Sequence, residues 1–254
     1  MMSCCVHDGA VRVSDARVNR FLAALRDDET RALIDAATRR DLAAGDVVVH
    51  RGDRVEHAYF PLRGAIAEIE EGLDGETVEV TVVGPEGVSG IEALLDKDDA
   101  PFTRVVDVPT VALAVPVGAV RAVRDRFPAV HELIHRYAAE RLRAAGISIG
   151  CNARHPVGAR LARWLLRMCD RVGMTDFELT HETIARMLGV QRPTVTRAIA
   201  HLEEEGAVDT ARGSVRVLDR LRLEALACSC YPESRELFDV LYRAFRGGGR
   251  AGSP

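Results

Sequence analysis

The stretch that most constrains this chain runs from Leu179 to Glu205, LTHETIARMLGVQRPTVTRAIAHLEEE. Ile184, Met187 and Leu188 fall at i, i+3 and i+4, one apolar stripe on a short helix. Thr180 precedes that stripe as an N-cap, and Glu182 in the first turn suits the positive end of the helix dipole. Gly189 closes the helix where the chain must turn left-handed, a conformation that costs glycine nothing. A second helix starts near Arg192, with Pro193 in the first turn, where no amide is needed. Val195, Ile199 and Leu202 repeat at i, i+4 and i+7 and mark its buried face. Pro193, Thr196, Arg197 and Ala200 then point outward, with Arg192 at the tip. Such a helix, carrying short polar groups and two arginines, meets the requirements for reading a DNA major groove. From this stretch alone, a buried helical hairpin with surface arginines is the alternative.

The following residues decide between these. After Gly206, AVDTARGSVRVLD alternates on both sides of Arg212-Gly213 and reads as a two-stranded wing. A helix pair followed by a hairpin is a winged helix-turn-helix, so the expected partner is double-stranded DNA. Charge shapes how it would bind. The chain has 34 basic and 38 acidic residues, a net charge of −4, which excludes a polycation that coats nucleic acid. From Pro156 to Glu224 eleven arginines face ten carboxylates. DNA affinity must therefore come from where the arginines sit, doubled by dimerisation.

Upstream, Asp15 to Ala37 carries a helical pattern with Phe21, Leu22, Leu25, Leu33 and Ile34 as its apolar members. From Arg39 the period shortens, and glycines punctuate the runs DVVVH, AYFPL, AIAEIE, TVEVTVV and TVALAV. Short strands at this spacing predict a β-roll, a jelly-roll-like barrel closing near Val117, with Asp74-Gly75 as a hairpin turn. Ala129 to Asn152 reads as a long helix whose broad apolar stripe faces both the barrel and a second subunit. Asn152 to Pro156 is the natural hinge, Val157 to Arg171 another amphipathic helix with Trp164 in its core, and Ser234 to Phe245 a final helix. The fold class is α+β: a flexible arm (1–14), a β-roll sensor domain (15–128), a dimerisation helix (129–152), a winged helix-turn-helix (153–227), and a C-terminal helix with a disordered tail (228–254). No apolar run is long enough to span a membrane and no signal peptide is legible, which predicts a cytoplasmic protein with reduced thiols and no membrane partner.

This order of parts resembles the Crp/Fnr family of bacterial transcription regulators from about Leu42 to Ala227, carried by GDVVVHRGDRVEHAYFPLRGAIAEI and LTHETIARMLGVQRPTVTRAI. The resemblance implies a homodimer on an inverted-repeat operator, with RNA polymerase as a further partner. It places base contacts on Arg192, Pro193 and Arg197, with Thr194 near the phosphates; Gln191 and Thr196 flank them, and Thr180 and His181 are candidate phosphate contacts. Pro193 stands where well-known members have a glutamate that accepts a bond from cytosine, so the half-site should differ from the familiar one.

The effector positions depart further. Gly90 holds the family's ribose-binding glycine place, but Ile91 replaces the glutamate beside it, and the phosphate-binding arginine's place falls near Ala100-Pro101. Arg104 is a displaced substitute or, on the plainer reading, a strand arginine facing solvent. A cyclic phosphate buried without a cationic partner is costly, so cyclic AMP is not expected to bind. No cofactor is expected either. Cys4 and Cys5 are adjacent, and Cys151, Cys169, Cys228 and Cys230 are scattered over other segments, which suits neither an iron–sulphur cluster nor a metal site. Cys228-Ser229-Cys230 is read as two small packed residues, with a thiol switch or soft-metal site as the alternative. His131 and His135, at i and i+4, are read as solvated and not as haem ligands; His50 and His57 carry no further signal. No nucleophile elbow, P-loop, catalytic carboxylate pair or zinc spacing is legible, so no enzyme is expected. The alternative function is a redox or small-molecule sensor whose winged domain docks a protein partner.

Overall fold

The computed structural model describes residues 11–72 and 77–248, the last three without their side chains. The arm up to residue 10 with Cys4 and Cys5, the Asp74-Gly75 turn and the tail beyond residue 248 lie outside the described residues. The chain divides into two compact units. One gathers the residues up to Glu68, Val82–Leu142 and those from Phe238 onward; the other gathers Ile69–Thr81 and Arg143–Leu237.

The first unit opens with three short helices, α1 (Val13–Ala16), α2 (Arg20–Ala24) and α3 (Asp27–Ile34), where the sequence pattern suggested one helical run. Caps break the run. The buried Asn19 accepts hydrogen bonds from the amides of Phe21 and Leu22, and its side-chain amide donates to the carbonyls of Pro61 (2.9 Å) and Gly87 (2.7 Å). Glu29 in turn accepts from the Arg26 amide (2.8 Å), half of a capping box at the start of α3.

Next come the strands β1 (Thr38–Leu42), β2 (Val47–Val49), β3 (His57–Glu71), β4 (Thr77–Val83) and β5 (Thr103–Pro116), with the short helix α4 (Ile91–Leu94) before β5. They form one sheet in the order β1-β5-β3-β4, with β2 also on β5, an open arrangement and not a closed barrel. Register is antiparallel from Thr38 opposite Ala114 to Leu42 opposite Thr110. The runs AYFPL and AIAEIE, which read as separate strands, are one strand that passes through Gly64 at φ 77°. A Cβ there would sit 2.3 Å from the Pro109 carbonyl oxygen, so only glycine lets β3 continue past β5.

Helix α5 (Val117–Arg126) leads to α6 (Pro128–Arg154), which enters the second unit at Arg143. Of the residues 152–156 read as a hinge, 152–154 belong to α6, and the boundary between the units falls earlier, between Leu142 and Arg143. Pro156 has no amide to donate and stands at the N-cap of the following helix, so α6 continues until proline stops it. Tyr137 on α6 is fully buried edge-on to Phe21 at 5.6 Å, and burial pushes its phenol up to about 12.

The second unit contains α7 (Val157–Val172), β6 (Asp176–Phe177), α8 (His181–Leu188), α9 (Arg192–Glu204), β7 (Val208–Ala211), β8 (Ser214–Val217) and α10 (Arg220–Leu226). Leu161, Trp164, Leu165 and Met168 of α7 are buried, and the Trp164 indole donates to Glu79 at 3.1 Å. The last helix, α11, spans Cys230–Gly248 and not Ser234 to Phe245. It starts earlier because Pro232 sits in its first turn, where its missing amide costs nothing. Beyond Phe238 it belongs to the first unit, where Phe238 packs 5.5 Å from the Tyr137 ring and the Tyr242 hydroxyl donates to the Glu86 carbonyl at 2.5 Å.

Candidate nucleic-acid interface

The reader is built from its caps inward. The Thr180 hydroxyl accepts from the Thr183 amide at 3.1 Å and starts α8. Gly189 closes it at φ 60°, ψ 47°, so that its own amide and that of Val190 return to carbonyls of α8. Gln191 then caps α9, with Pro193 in the first turn. Val195, Ile199 and Leu202 are buried together with Ala198, each aliphatic side chain contributing roughly 1.5–3 kcal/mol through lost water contact. Their burial rotates Gln191, Arg192, Pro193, Thr196, Arg197 and Ala200 into solvent, while Thr194 is half-buried.

Within this face the hydrogen bonds separate braces from free groups. The His181 ring shares a 3.1 Å hydrogen bond with the Thr196 hydroxyl, which also donates to the Arg192 carbonyl at 3.2 Å. His181 and Thr196 thus tie the start of α8 to the exposed side of α9. Among the described residues Arg197 is held only by a 3.5 Å contact with Thr194, at the limit of a hydrogen bond, so its guanidinium can swing toward a base edge.

The wing is β7 and β8 paired antiparallel from Val208 opposite Val217 to Ala211 opposite Ser214, with β6 on the far edge of β8. Gly213 at φ 80° makes the turn and leaves Arg212 exposed at the tip. Glu203 near the end of α9 accepts from the Thr210 amide at 3.1 Å and so fixes the wing against the reader helix. This brace was not legible in the sequence, because it joins two elements through a carboxylate that reads as part of a solvated Glu203-Glu204-Glu205 run.

At the effector positions the structure corrects one expectation. Arg104 does not face solvent: it is 1% exposed and pairs with Glu92 of α4 and, at 3.6 Å, with Glu68, whose other oxygen meets Arg141 at 2.5 Å. Two carboxylates draw the guanidinium inward, a pairing that strand periodicity does not reveal. Arg104 also borders a cleft of about 430 Å³ lined by Val49, His50, Arg54, His57 and Tyr59. Gly90, left-handed at φ 97°, caps α4, and the buried Ile91 opens that helix; neither lines the cleft.

The thiols are a second correction. Cys151, Cys228 and Cys230 are not scattered but buried in one cluster, with His155, a residue the sequence reading passed over, beside them. Seventy-seven positions separate Cys151 from Cys228, so no local spacing announces the group. Cys169 lies apart, and burial pushes its thiol up to about 11. His131 and His135 are exposed and stacked at 4.3 Å, with the His135 Nδ1 occupied by the His131 carbonyl.

A sheet domain carrying a cleft, a long helix and a winged reader with a free, arginine-bearing face define a DNA-binding regulator. Residues 159–226 match the Crp-like helix-turn-helix domain, and residues 39–127 match the cyclic nucleotide-binding domain. The chain is similar to the global nitrogen regulator of Nostoc sp., 28% identical over 65% of this chain and 78% of that one. It is also similar to the cyclic AMP receptor protein of Thermus thermophilus, 27% identical over 80% of this chain and 94% of that one. The fold is shared with FixK2 from Bradyrhizobium japonicum, with a TM-score of 0.66 at 20% identity over 76% of this chain and 98% of that one. The chain belongs to the Crp/Fnr family of transcription regulators. Residues 128–158 and everything after 226 fall outside both matched domains.

Proposed function

We propose that the protein acts as a homodimer on an inverted-repeat operator, with α9 of each subunit in the major groove of one half-site. The observation that carries this reading is the exposed, lightly tethered face of α9, where Arg192 and Arg197 form no ion pair among the described residues. Each can bond both acceptors of a guanine, and Pro193 between them offers apolar contact in place of a hydrogen bond. Thr180, His181 and Thr194 lie at the positions from which phosphates are gripped, and Arg212 at the wing tip reaches the backbone on the far side. With little bulk charge available, two copies of the reader supply the affinity, at half-sites about one helical turn apart on bent DNA.

Helix α6 supports the dimer. His135, Leu142 and Ile149 fall at heptad spacing, and Leu142 and Ile149 are 77% and 70% exposed. Ala138, Ala145 and Gly146 on the same side are small enough for a second helix to approach closely. Apolar side chains this exposed on a long helix gain by pairing with a second copy.

The signal at the sheet domain is not cyclic AMP in this reading. Arg104, the buried cation bordering the cleft, is already paired with Glu68 and Glu92, and Ile91 cannot accept a ribose hydroxyl. The protein works without cofactor-dependent chemistry or catalysis and meets RNA polymerase at its promoters. Among the described residues no helix is long and apolar enough to cross a membrane.

Selection of bound DNA from a random pool, with purified protein under reducing and then oxidising conditions and with and without cyclic AMP, tests this reading. An inverted repeat enriched without regard to cyclic AMP is expected. Enrichment that needs cyclic AMP would overturn the effector reading, and enrichment of a single unrepeated site would overturn the dimeric one.

A further inference from the structure

We propose that Cys151, His155, Cys228 and Cys230 form a mononuclear site for a borderline-soft divalent cation of the zinc class. Their ligand atoms all lie within 4.8 Å of one another. The Cys151 and Cys228 sulphurs are 3.4 Å apart, and the Cys230 sulphur is 3.6 Å from the His155 Nδ1. Zinc–sulphur and zinc–nitrogen bonds of about 2.3 and 2.0 Å at tetrahedral angles require edges of roughly 3.8 Å between sulphurs and 3.6 Å between sulphur and nitrogen. These two edges therefore match a tetrahedral shell to within a few tenths of an ångström, and the remaining separations, none above 4.8 Å, close onto a single ion with shifts of about 1 Å or less. Three thiolates and one imidazole are a recurrent closed, structural zinc set.

The construction is local on both sides. Cys151 lies in the last turn of α6 and His155 directly follows it, its amide donating to the Cys151 carbonyl at 3.0 Å. Cys228 lies between α10 and α11 and Cys230 is the first residue of α11; the Cys228 amide donates to the Ala159 carbonyl at 3.3 Å. Ile147 and Ala159 pack against the cysteines and keep water from the inner side, while a cleft lined by Ala227, Cys228 and Tyr231 opens to solvent as an entry path.

Charge supplies an independent argument. Three thiolates and a divalent cation leave one net negative charge in a dry setting, which needs a cation beside it. Arg163 of α7 is 6% exposed, its Nε and Nη1 find no hydrogen-bond partner among the described residues, and its charge acts on Cys151 and Cys230. Buried guanidinium nitrogens without hydrogen-bond acceptors are expensive, and metal-bound thiolates would accept from them. On binding, each thiol passes its proton to solvent and its sulphur donates an electron pair to the ion, with no change of oxidation state. The ion would clamp the end of α6 to the segment that enters α11. All four ligands fall outside both matched domains, so the site is a feature of this chain's helix end and C-terminal extension.

Cobalt(II) titration of the reduced, chelator-treated full-length protein tests this, with zinc added afterwards and native mass spectrometry of the zinc-loaded chain. One cobalt per chain is expected, with the intense visible bands of a tetrahedral thiolate complex that zinc abolishes. Cys151→Ser and Cys230→Ser should each weaken binding by about 100-fold, given the near-complete dependence of such sites on their ligand set. Cys169→Ser should leave binding unchanged. Absence of the bands and of a zinc-bound mass for the wild-type chain would overturn the proposal, and needs no variant to fold. So would binding that survives both ligand substitutions, or metal-free protein that instead forms a Cys151–Cys228 disulfide and takes up no metal when reduced. DNA affinity enters none of these readouts, so the site stands or falls apart from the operator reading.

Discussion

Replacing Arg197 with alanine removes a guanidinium that contributes almost nothing to the folded protein by itself. Its side chain is exposed, and its one tether among the described residues is the 3.5 Å contact to Thr194. The helix beneath is held by Val195, Ala198, Ile199 and Leu202, none of which the substitution touches, and alanine favours helix. Thermal stability should therefore stay within about 0.5 kcal/mol of wild type, as for other surface changes. Binding to the selected operator should not. A bidentate arginine–guanine pair discriminates by about 1–3 kcal/mol. A dimer loses two, or about 2–6 kcal/mol, which at about 1.4 kcal/mol per tenfold is roughly 30-fold at the low end. The loss should be confined to specific DNA. Fluorescence anisotropy on the operator and on a scrambled duplex, repeated across a salt series, separates the two. Operator affinity should fall with little change in salt slope, because a base contact releases few counterions. Equal losses on both duplexes, or a salt slope shallower by about 0.9 for each subunit's arginine, would make Arg197 a phosphate contact and refute the base-reading assignment.

Four further outcomes follow from the geometry. Arg104→Ala takes the buried guanidinium from Glu92, leaves Glu68 with Arg141 alone beside a new cavity, and should cost roughly 3–5 kcal/mol in urea unfolding, as expected for removal of one partner from a buried ion pair. Gly64→Ala puts a methyl group against the Pro109 carbonyl in a left-handed conformation and should cost more than about 1 kcal/mol by the same assay. Thr180→Ala removes the α8 cap and should cost about 1 kcal/mol, read as faster amide exchange at Thr183. Glu79 gives a pH dependence. Burial raises its carboxyl, while the Trp164 indole and then Arg171, Arg167 and Arg163 pull it back. Between the ordinary carboxylate range and that raised value the folded state keeps a proton the unfolded state has released, so stability falls as pH rises through the window. Glu79→Gln keeps an acceptor for Trp164 and should flatten melting temperature against pH there; an unchanged slope would remove Glu79 as its source.

Much of the reader was legible because its signals are local. A cap at Thr180, a left-handed glycine at Gly189, a proline in the first turn of α9 and a three-residue apolar stripe each act within a few residues, and together they dictate which side of α9 meets solvent. The strand pattern of the sheet domain was legible for the same reason, but its open arrangement and strand lengths were not. Whether AYFPL and AIAEIE are one strand depends on Gly64 sliding past Pro109, 45 residues away in sequence, and periodicity carries no record of that.

Side chains whose partners come from distant segments escaped the sequence altogether. An arginine in a strand reads as solvent-facing until two carboxylates from other elements surround it, as Glu68 and Glu92 surround Arg104. Cysteines at 151, 228 and 230 read as unrelated until the end of α6 and the entry to α11 place them against His155. By itself, then, the sequence determined the elements whose stability comes from neighbouring backbone groups and helical or strand periodicity: the winged reader, the long helix and the family order of parts. The tertiary structure alone decided where buried charge and thiols meet, because desolvation and pairing energies depend on distances through space, which separation along the chain does not encode.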